Sequence, residues 1–234
     1  MYKYFISFYF LLFFVDGFSQ EQKKDSIITS ELDSIVYKTN YGLRVGLDIS
    51  KPILGSFNDT YSGLEIVADY RIKKNVYIAT EFGYENKTSE EDYTNSTSKG
   101  NYLKLGLNYN AYQNWLDMNN EIFVGFRYGL SIFEQTLNNY TPNVNTQYFP
   151  ANNIIAASST NLNAHWTEVV VGFRAETLKN FFVSFSGSYK VMLSVKQPDN
   201  FQTLYSPGFN RIFSTNSGFG FNYTLTYLIP FSRK

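Results

Sequence analysis

The chain holds a single histidine, His165, and no cysteine. A histidine beside a serine is the smallest apparatus for acyl transfer, because the imidazole takes the hydroxyl proton as the oxygen attacks a carbonyl. In the alternating stretch that it opens, His165 takes the apolar parity, whereas Ser131 and Ser194 take the opposite parity of theirs. Only Ser158 and Ser159, in a polar stretch just before it, are left as partners. His165 is the one catalytic candidate, and the preferred account of it is a polar residue at a loop edge beside Trp166 in an aromatic girdle. Without cysteine, disulfides, thiolate chemistry, Cys-ligated metals and a lipidated N-terminal cysteine are excluded together.

The acidic group Glu85, Glu90, Glu91 and Asp92 has the charge for a divalent cation. It lacks the glycine turn and alternating oxygen ligands of a calcium loop, so a solvated loop is expected there and no metal site. Phosphate loops, dinucleotide fingerprints and zinc spacings are absent, and no cofactor is expected. Two copies of Asp-Ser-Ile, Asp25-Ser26-Ile27 and Asp33-Ser34-Ile35, resemble a bacterial O-glycosylation acceptor and are read as coincidence. Twenty basic and twenty acidic residues give zero net charge, which points to no nucleic acid and no acidic lipid as electrostatic partner.

The elements that carry these residues are strands. In Tyr41 to Ile49 one parity holds Tyr41, Leu43, Val45, Leu47 and Ile49 and the other Gly42, Arg44, Gly46 and Asp48, a period of two. Seven more stretches repeat the pattern, giving strands at roughly 41–50, 62–72, 76–85, 102–110, 122–133, 166–177, 181–192 and 217–231. Their apolar parity carries no charge. A sheet with one continuous uncharged, aromatic-rich face, and one face mixing charges with glycine, suits a barrel standing in a lipid bilayer. Aromatics at 19% and charges at 17% depart from a soluble domain at about 25% charged, and the mildly negative mean hydropathy is consistent with half of each strand facing a polar lumen.

Connections alternate in length. Lys73-Lys74-Asn75 and Leu178-Lys179-Asn180 are tight turns, whereas Asn86 to Asn101, Glu134 to His165 and Leu193 to Asn216 are long and rich in Asn, Thr and Ser. The connection Ala111 to Glu121, with Trp115, is intermediate. Such alternation puts the long loops outside the cell and both termini in the periplasm. Aromatics on the apolar parity then form two girdles: Tyr41, Tyr70, Tyr109, Phe181, Tyr227 and Phe231 at the periplasmic ends, and Tyr84, Tyr189 and Phe219 at the outer ends. The opposite parity makes a lumen of Arg44, Arg71, Lys104, Arg127, Arg174 and Lys190 with Asp48, Glu65, Asp69, Glu81, Glu85, Glu168 and Glu176. Eight strands enclose only enough room for side chains, so these charges must pair, giving a salt-bridged plug. A soluble lipocalin-type barrel would invert the faces. It does not explain why Gly46, Gly63, Gly83, Gly106, Gly125, Gly129, Gly172 and Gly218 share the charged parity, which fits a crowded interior.

Residues 1–19 read as a secretory signal: Lys3, an apolar core from Tyr4 to Val15, and Gly17-Phe18-Ser19 before a cut at Gln20. No other segment approaches the ~20 apolar residues of a spanning helix. Residues 20–39 are expected to be a periplasmic lead-in with a helical turn near Ser30 to Val36, and residues 40–231 the barrel.

Ser217-Gly218-Phe219-Gly220-Phe221-Asn222-Tyr223 resembles the terminal-strand signal of the barrel assembly machinery, with Phe231 as the closing aromatic set inward by Ser232, Arg233 and Lys234. With Val124-Gly125-Phe126-Arg127-Tyr128-Gly129 and Val171-Gly172-Phe173-Arg174, the chain is similar over residues 40 to 231 to an uncharacterised family of small outer-membrane barrels, a domain of unknown function. The resemblance implies architecture and the assembly machinery as a partner, and carries no active site. The expected fold is therefore all-β, an eight-stranded antiparallel transmembrane barrel in the outer membrane of a Gram-negative-type bacterium, in contact with its lipids. The expected role is structural or surface-interacting, with glycan or protein partners at loops 134–165 and 193–216, whose Asn, Thr, Tyr and Phe favour hydrogen-bonding and stacking. A lipid-modifying enzyme using His165 is the alternative; a narrow conduit or a lipocalin-like binder comes after it.

Overall fold

The computed structural model describes residues 40–113, 119–140, 154–198 and 201–233. The expected signal sequence, the expected lead-in with both Asp-Ser-Ile copies, Trp115 and positions 141–153 lie outside the described residues.

Residues of alternating character extend into eight long strands: β1 (Asn40–Asp48), β2 (Tyr61–Lys73), β3 (Val76–Glu91), β4 (Thr94–Asn110), β5 (Glu121–Tyr140), β6 (Ile154–Leu178), β7 (Phe181–Val195) and β10 (Ser217–Arg233). A helix, α1 (Ser50–Phe57), joins β1 to β2, and a two-stranded hairpin of β8 (Tyr205–Ser206) and β9 (Asn210–Arg211) interrupts the connection from β7 to β10. The eight long strands pair antiparallel in the order β1-β10-β7-β6-β5-β4-β3-β2 and close a barrel. Sequential neighbours pair throughout, so the hydrophobic alternation alone fixes which face each residue takes.

Two-residue turns join β2 to β3 at Lys74-Asn75 and β6 to β7 at Lys179-Asn180. In the second turn Asn180 is left-handed, with φ of 63°, and its N–H donates to the Glu176 carboxylate at 2.7 Å. Glu176 thus secures a turn, and among the described residues no cation lies within 4.0 Å of it, unlike the ion-paired interior carboxylates that its parity implies.

The ring turns its chemistry inside out relative to a water-soluble core. Arg44, Asp48, Glu65, Asp69, Glu85, Lys104, Arg127, Glu168, Arg174 and Lys190 are buried, whereas Leu64, Phe82, Leu105, Leu107, Val124, Phe126, Val171 and Phe173 are exposed on the outer face. Interior glycines make room for the largest side chains. A Cβ on Gly129 would come 2.2 Å from the Trp166 ring, and Trp166 is completely buried. Trp166 therefore faces the interior and is not part of an outward girdle; Gly129 is its cross-strand partner and leaves it space.

At the long-loop end the strands differ from the sequence expectation. The loop expected at 86–101 is strand on both sides of a turn at Asp92-Tyr93, and the loop expected at 134–165 is strand to Tyr140 and again from Ile154. There β3, β4, β5 and β6 rise beyond their neighbours, since β2 pairs only up to Lys87 of β3 and β7 only up to Ala164 of β6. In its β3 and β4 parts both faces are polar, so that sequence has no apolar period and reads as loop.

β1 is short. Its last residue, Asp48, accepts bonds through Oδ1 from the Ser50 N–H at 2.9 Å and the Tyr223 N–H at 3.0 Å, and through Oδ2 from Asn222 at 2.9 Å. That turn ends the strand at Asp48 and not at Ser50, where the alternation places its close, and starts α1, whose first turn accommodates Pro52.

Candidate functional site

The interior holds two ion clusters, one above the other. Toward the short-turn end, Arg44 and Arg174 each bridge the same two carboxylates. Arg44 meets Asp69 at 2.6 Å and Glu121 at 2.7 Å; Arg174 meets Glu121 at 2.9 Å and Asp69 at 3.1 Å. Tyr77 donates to Glu121 at 2.6 Å and accepts from Arg71 Nε at 2.6 Å, and the Arg44 guanidinium lies 4.5 Å from the centre of the Tyr77 ring. Both oxygens of each carboxylate are engaged by these guanidiniums, which marks the cluster as structural. The sequence boundaries leave Glu121 in a connection; its parity with Phe123, Gly125 and Arg127 is the signal that places it inside.

Higher in the barrel, Lys104 reaches Glu81 at 2.8 Å, Glu65 at 3.4 Å and Glu168 at 3.9 Å, while Arg127 meets Glu81 at 3.2 Å. Tyr102 and Asn222 donate to Glu65 at 2.5 and 2.6 Å, and the Trp166 indole donates to Glu168 at 2.6 Å. The expected pairing of interior charges is thus present, in networks and not in isolated pairs. Cavities of about 40 and 10 Å³ within the described interior leave room for little more than a water each.

The top of the interior is sealed by chain that the sequence placed outside. The stretch Thr203 to Phe209, expected to belong to an exposed loop, has all but Leu204 buried. Glu85 anchors it: its Oε2 accepts from the Tyr205 hydroxyl and the Gly208 N–H, both at 2.8 Å, and its Oε1 accepts from Lys51 at 2.6 Å and Tyr61 at 3.1 Å. Lys190 donates to the Gly208 carbonyl at 2.6 Å, and Gln135 exchanges bonds with the Gln202 carbonyl and the Leu204 N–H. Gly208 has φ of 79° and lies over Tyr102, where a Cβ would come 2.6 Å from the ring, so only glycine fits. Phe209 then packs edge-on to Trp166 at 6.0 Å, inside a cluster with Tyr102, Phe133, Leu162 and Met192.

Burial works against charge on Lys51, but the Glu85 and Glu65 carboxylates outweigh it and hold the ammonium above the ordinary lysine range. Burial, reinforced by Glu85, likewise pushes the Tyr205 phenol well up. Lys51 and Tyr205 were missed by sequence reading, because neither lies in an alternating stretch.

His165 is half-buried, with Nδ1 2.8 Å from the Tyr128 hydroxyl. Ser158 and Ser159 lie on the same strand six and seven residues away, a span of about 20 Å at strand rise, and cannot serve it. Ser131 is buried and points inward as expected. Ser194 does not: a register shift between His165 and Trp166 inserts Leu193, so Ser194 pairs with His165 and is exposed on the same face. Among the described contacts His165 meets a tyrosine and no carboxylate. Of the acidic group, Glu85 is the plug anchor and Glu91 pairs with Arg211 at 2.9 Å; Glu90 and Glu91 belong to β3, with Asp92 in the turn. Among the described residues no group of acids and histidines is arranged for a metal.

Fold and interior together define a small closed antiparallel barrel with an ion-paired lumen, stoppered at one end by its own chain. Over residues 1–234 the chain matches the family described as a domain of unknown function, DUF6048, and belongs to it. No curated protein is significantly similar to the chain.

Proposed function

We propose that this chain is an eight-stranded barrel of a bacterial outer membrane, closed to solutes, whose rigid wall carries a contact surface outside the cell. The inversion of burial carries this reading: charges fill the interior while a belt of uncharged residues covers the outside. The belt's edges support it further, with Tyr70, Tyr109, Tyr227 and Phe231 exposed at the short-turn end and Tyr84, Tyr128, Tyr189 and Phe219 exposed toward the other. The signal sequence and the assembly signal in β10 supply a route through the periplasm and the assembly machinery.

The contact surface is the raised β3–β6 sheet, whose Ser, Thr and Asn side chains suit glycan or protein partners more than ions. The sealed top and filled lumen disfavour both a conduit and a lipocalin-like binder. Membrane fractionation, heat-modifiable gel mobility and protease shaving of intact cells test the reading. It requires a membrane-bound, compact form cleaved only in the outer connections; a soluble chain, or cleavage at the Lys74-Asn75 turn on intact cells, overturns it.

A lipid-active second reading gains from the placement of Ser194 opposite His165 at the outer edge of the belt. Comparing lipids from cells with wild-type protein, His165→Ala, Ser194→Ala and a deletion tests it, since a real activity disappears in all three.

A further inference from the structure

The wall has a gap. Strand β1 covers β10 only from Thr224 onward and β2 only from Glu65 to Tyr70, so Ser217–Tyr223 and Tyr61–Leu64 face each other at the long-loop end with no strand between them. α1 fills this gap only in part. A cleft of about 540 Å³ remains, within the ~300–1,000 Å³ of small-molecule sites. Its outer lip is apolar: Leu54, Phe219 and Phe221 line it and are exposed on the outward face. Its other side is polar and holds three cations, Lys51, Lys87 and the exposed Arg211.

These cations are not equivalent. Lys51 is held by Glu85 at 2.6 Å, and Arg211 by Glu91 at 2.9 Å. Lys87 donates to the Thr60 hydroxyl at 2.8 Å, and among the described residues no carboxylate lies within 4.0 Å of it. A lysine without an acid partner, on the polar side of a cleft whose lip continues an apolar belt, is matched by a ligand with one negative charge and a hydrocarbon tail. Glu90, also lining the cleft, disfavours a second negative charge.

We propose that this lateral cleft binds an amphiphile with one anionic head group and an acyl chain, the head group on Lys87 and the chain leaving between α1 and β10 along Leu54, Phe219 and Phe221. The inference rests on the membrane reading for its supply of ligand, which reaches the site sideways from the bilayer. A free fatty acid and a singly charged lysophospholipid share this chemistry.

The test uses the purified full chain in dodecyl maltoside, labelled with a diazirine-bearing palmitate and mapped by mass spectrometry. Label is expected on the segments holding Leu54 and Phe219 to Phe221, competed by palmitate or palmitoyl-lysophosphatidylglycerol and not by hexadecanol. Whichever acid competes at the lower concentration identifies the source. Lys87→Glu is expected to cut labelling about tenfold, the loss of one charge-assisted contact, and Lys87→Arg to keep it. If Lys87→Glu loses the compact gel mobility, Lys87→Gln replaces it. Label spread around the barrel, equal competition by hexadecanol, or wild-type labelling in the charge-removing Lys87 variants overturns the proposal. Fractionation is read separately: a soluble chain with charge-dependent labelling sinks the membrane reading and keeps the cleft, and a membrane-bound chain without it does the reverse.

Discussion

The Gly208 backbone N–H donates to Glu85 at 2.8 Å across 123 residues of chain, and the Tyr205 hydroxyl meets the same oxygen at the same distance. The Glu85 carboxylate is therefore the central seat of the stopper, beside its bonds to Lys190 and Gln135. Glu85→Ala leaves Lys51 without its closest partner and the Gly208 N–H unbonded. A loss of about 3–5 kcal/mol is expected, as for other broken buried pairs. In a Trp115→Phe background Trp166 becomes the sole indole, and its emission is expected to shift red as Phe209 leaves. Unchanged emission and urea midpoint would show that the stopper is held elsewhere.

The same seat has a pH signature. Lys51 and Tyr205 both keep their protons above the ordinary lysine and tyrosine values. A raised pKa contributes stability in full below the unfolded value, here about 10, and loses it as the pH climbs past that value. The temperature at which Trp166 emission shifts is expected to be level from about pH 7 to 9 and to fall above about pH 10, with Lys51→Met and Tyr205→Phe each flattening the fall. A decline already complete at pH 8 would assign the seat to other groups.

In the lower cluster, Arg44 and Arg174 share Asp69 and Glu121, so removing one charge strands others. Glu121→Gln is expected to lower the temperature of the folded-to-unfolded gel shift, by the equivalent of about 3–5 kcal/mol. Pairing it with Arg44→Met is expected to recover part of that loss. A double variant no better than the single would show that packing around Tyr77 outweighs charge balance.

On the proposed membrane orientation, Val124 and Leu105 lie near mid-belt on the outward face. Val124→Arg or Leu105→Arg is expected to cost about 2–4 kcal/mol and to reduce the membrane-inserted fraction. Membrane fractionation with heat-modifiable mobility measures both. Wild-type behaviour in these variants would mean that this face does not meet lipid.

All eight long strands, their order and most of their inward charges were legible from alternation, because a barrel with two unlike faces writes its register into every second residue. Legibility ended where that contrast ended. β3 beyond Glu85 and β4 before Tyr102 are polar on both faces, and no period survives to mark them. The stopper escaped for another reason: Tyr205, Gly208 and Phe209 are buried by contacts with Glu85, Tyr102 and Trp166, distant in sequence, and a short connection that folds back inside has no local signature. Ser194 was misplaced by one register shift at Leu193, since a single inserted residue reverses the face of the residues after it. Trp166 shares its side of β6 with the inward Glu168, a parity that its aromatic character obscured. Glu121 was one residue beyond the boundary given to its strand.

Asp48 binds both the Tyr223 N–H and the Asn222 amide, partners 175 and 174 residues ahead of it in the chain. Every other seam of the ring joins consecutive long strands, so only the meeting of β1 with β10 requires the two ends of the barrel to find each other. Loop-closure entropy grows slowly with length, yet contacts this remote yield nothing until the intervening hairpins are in place. Closure of the ring is then expected late in folding, with the Asp48 bonds made after the rate-limiting step. Asp48→Asn should accordingly speed unfolding far more than it slows folding.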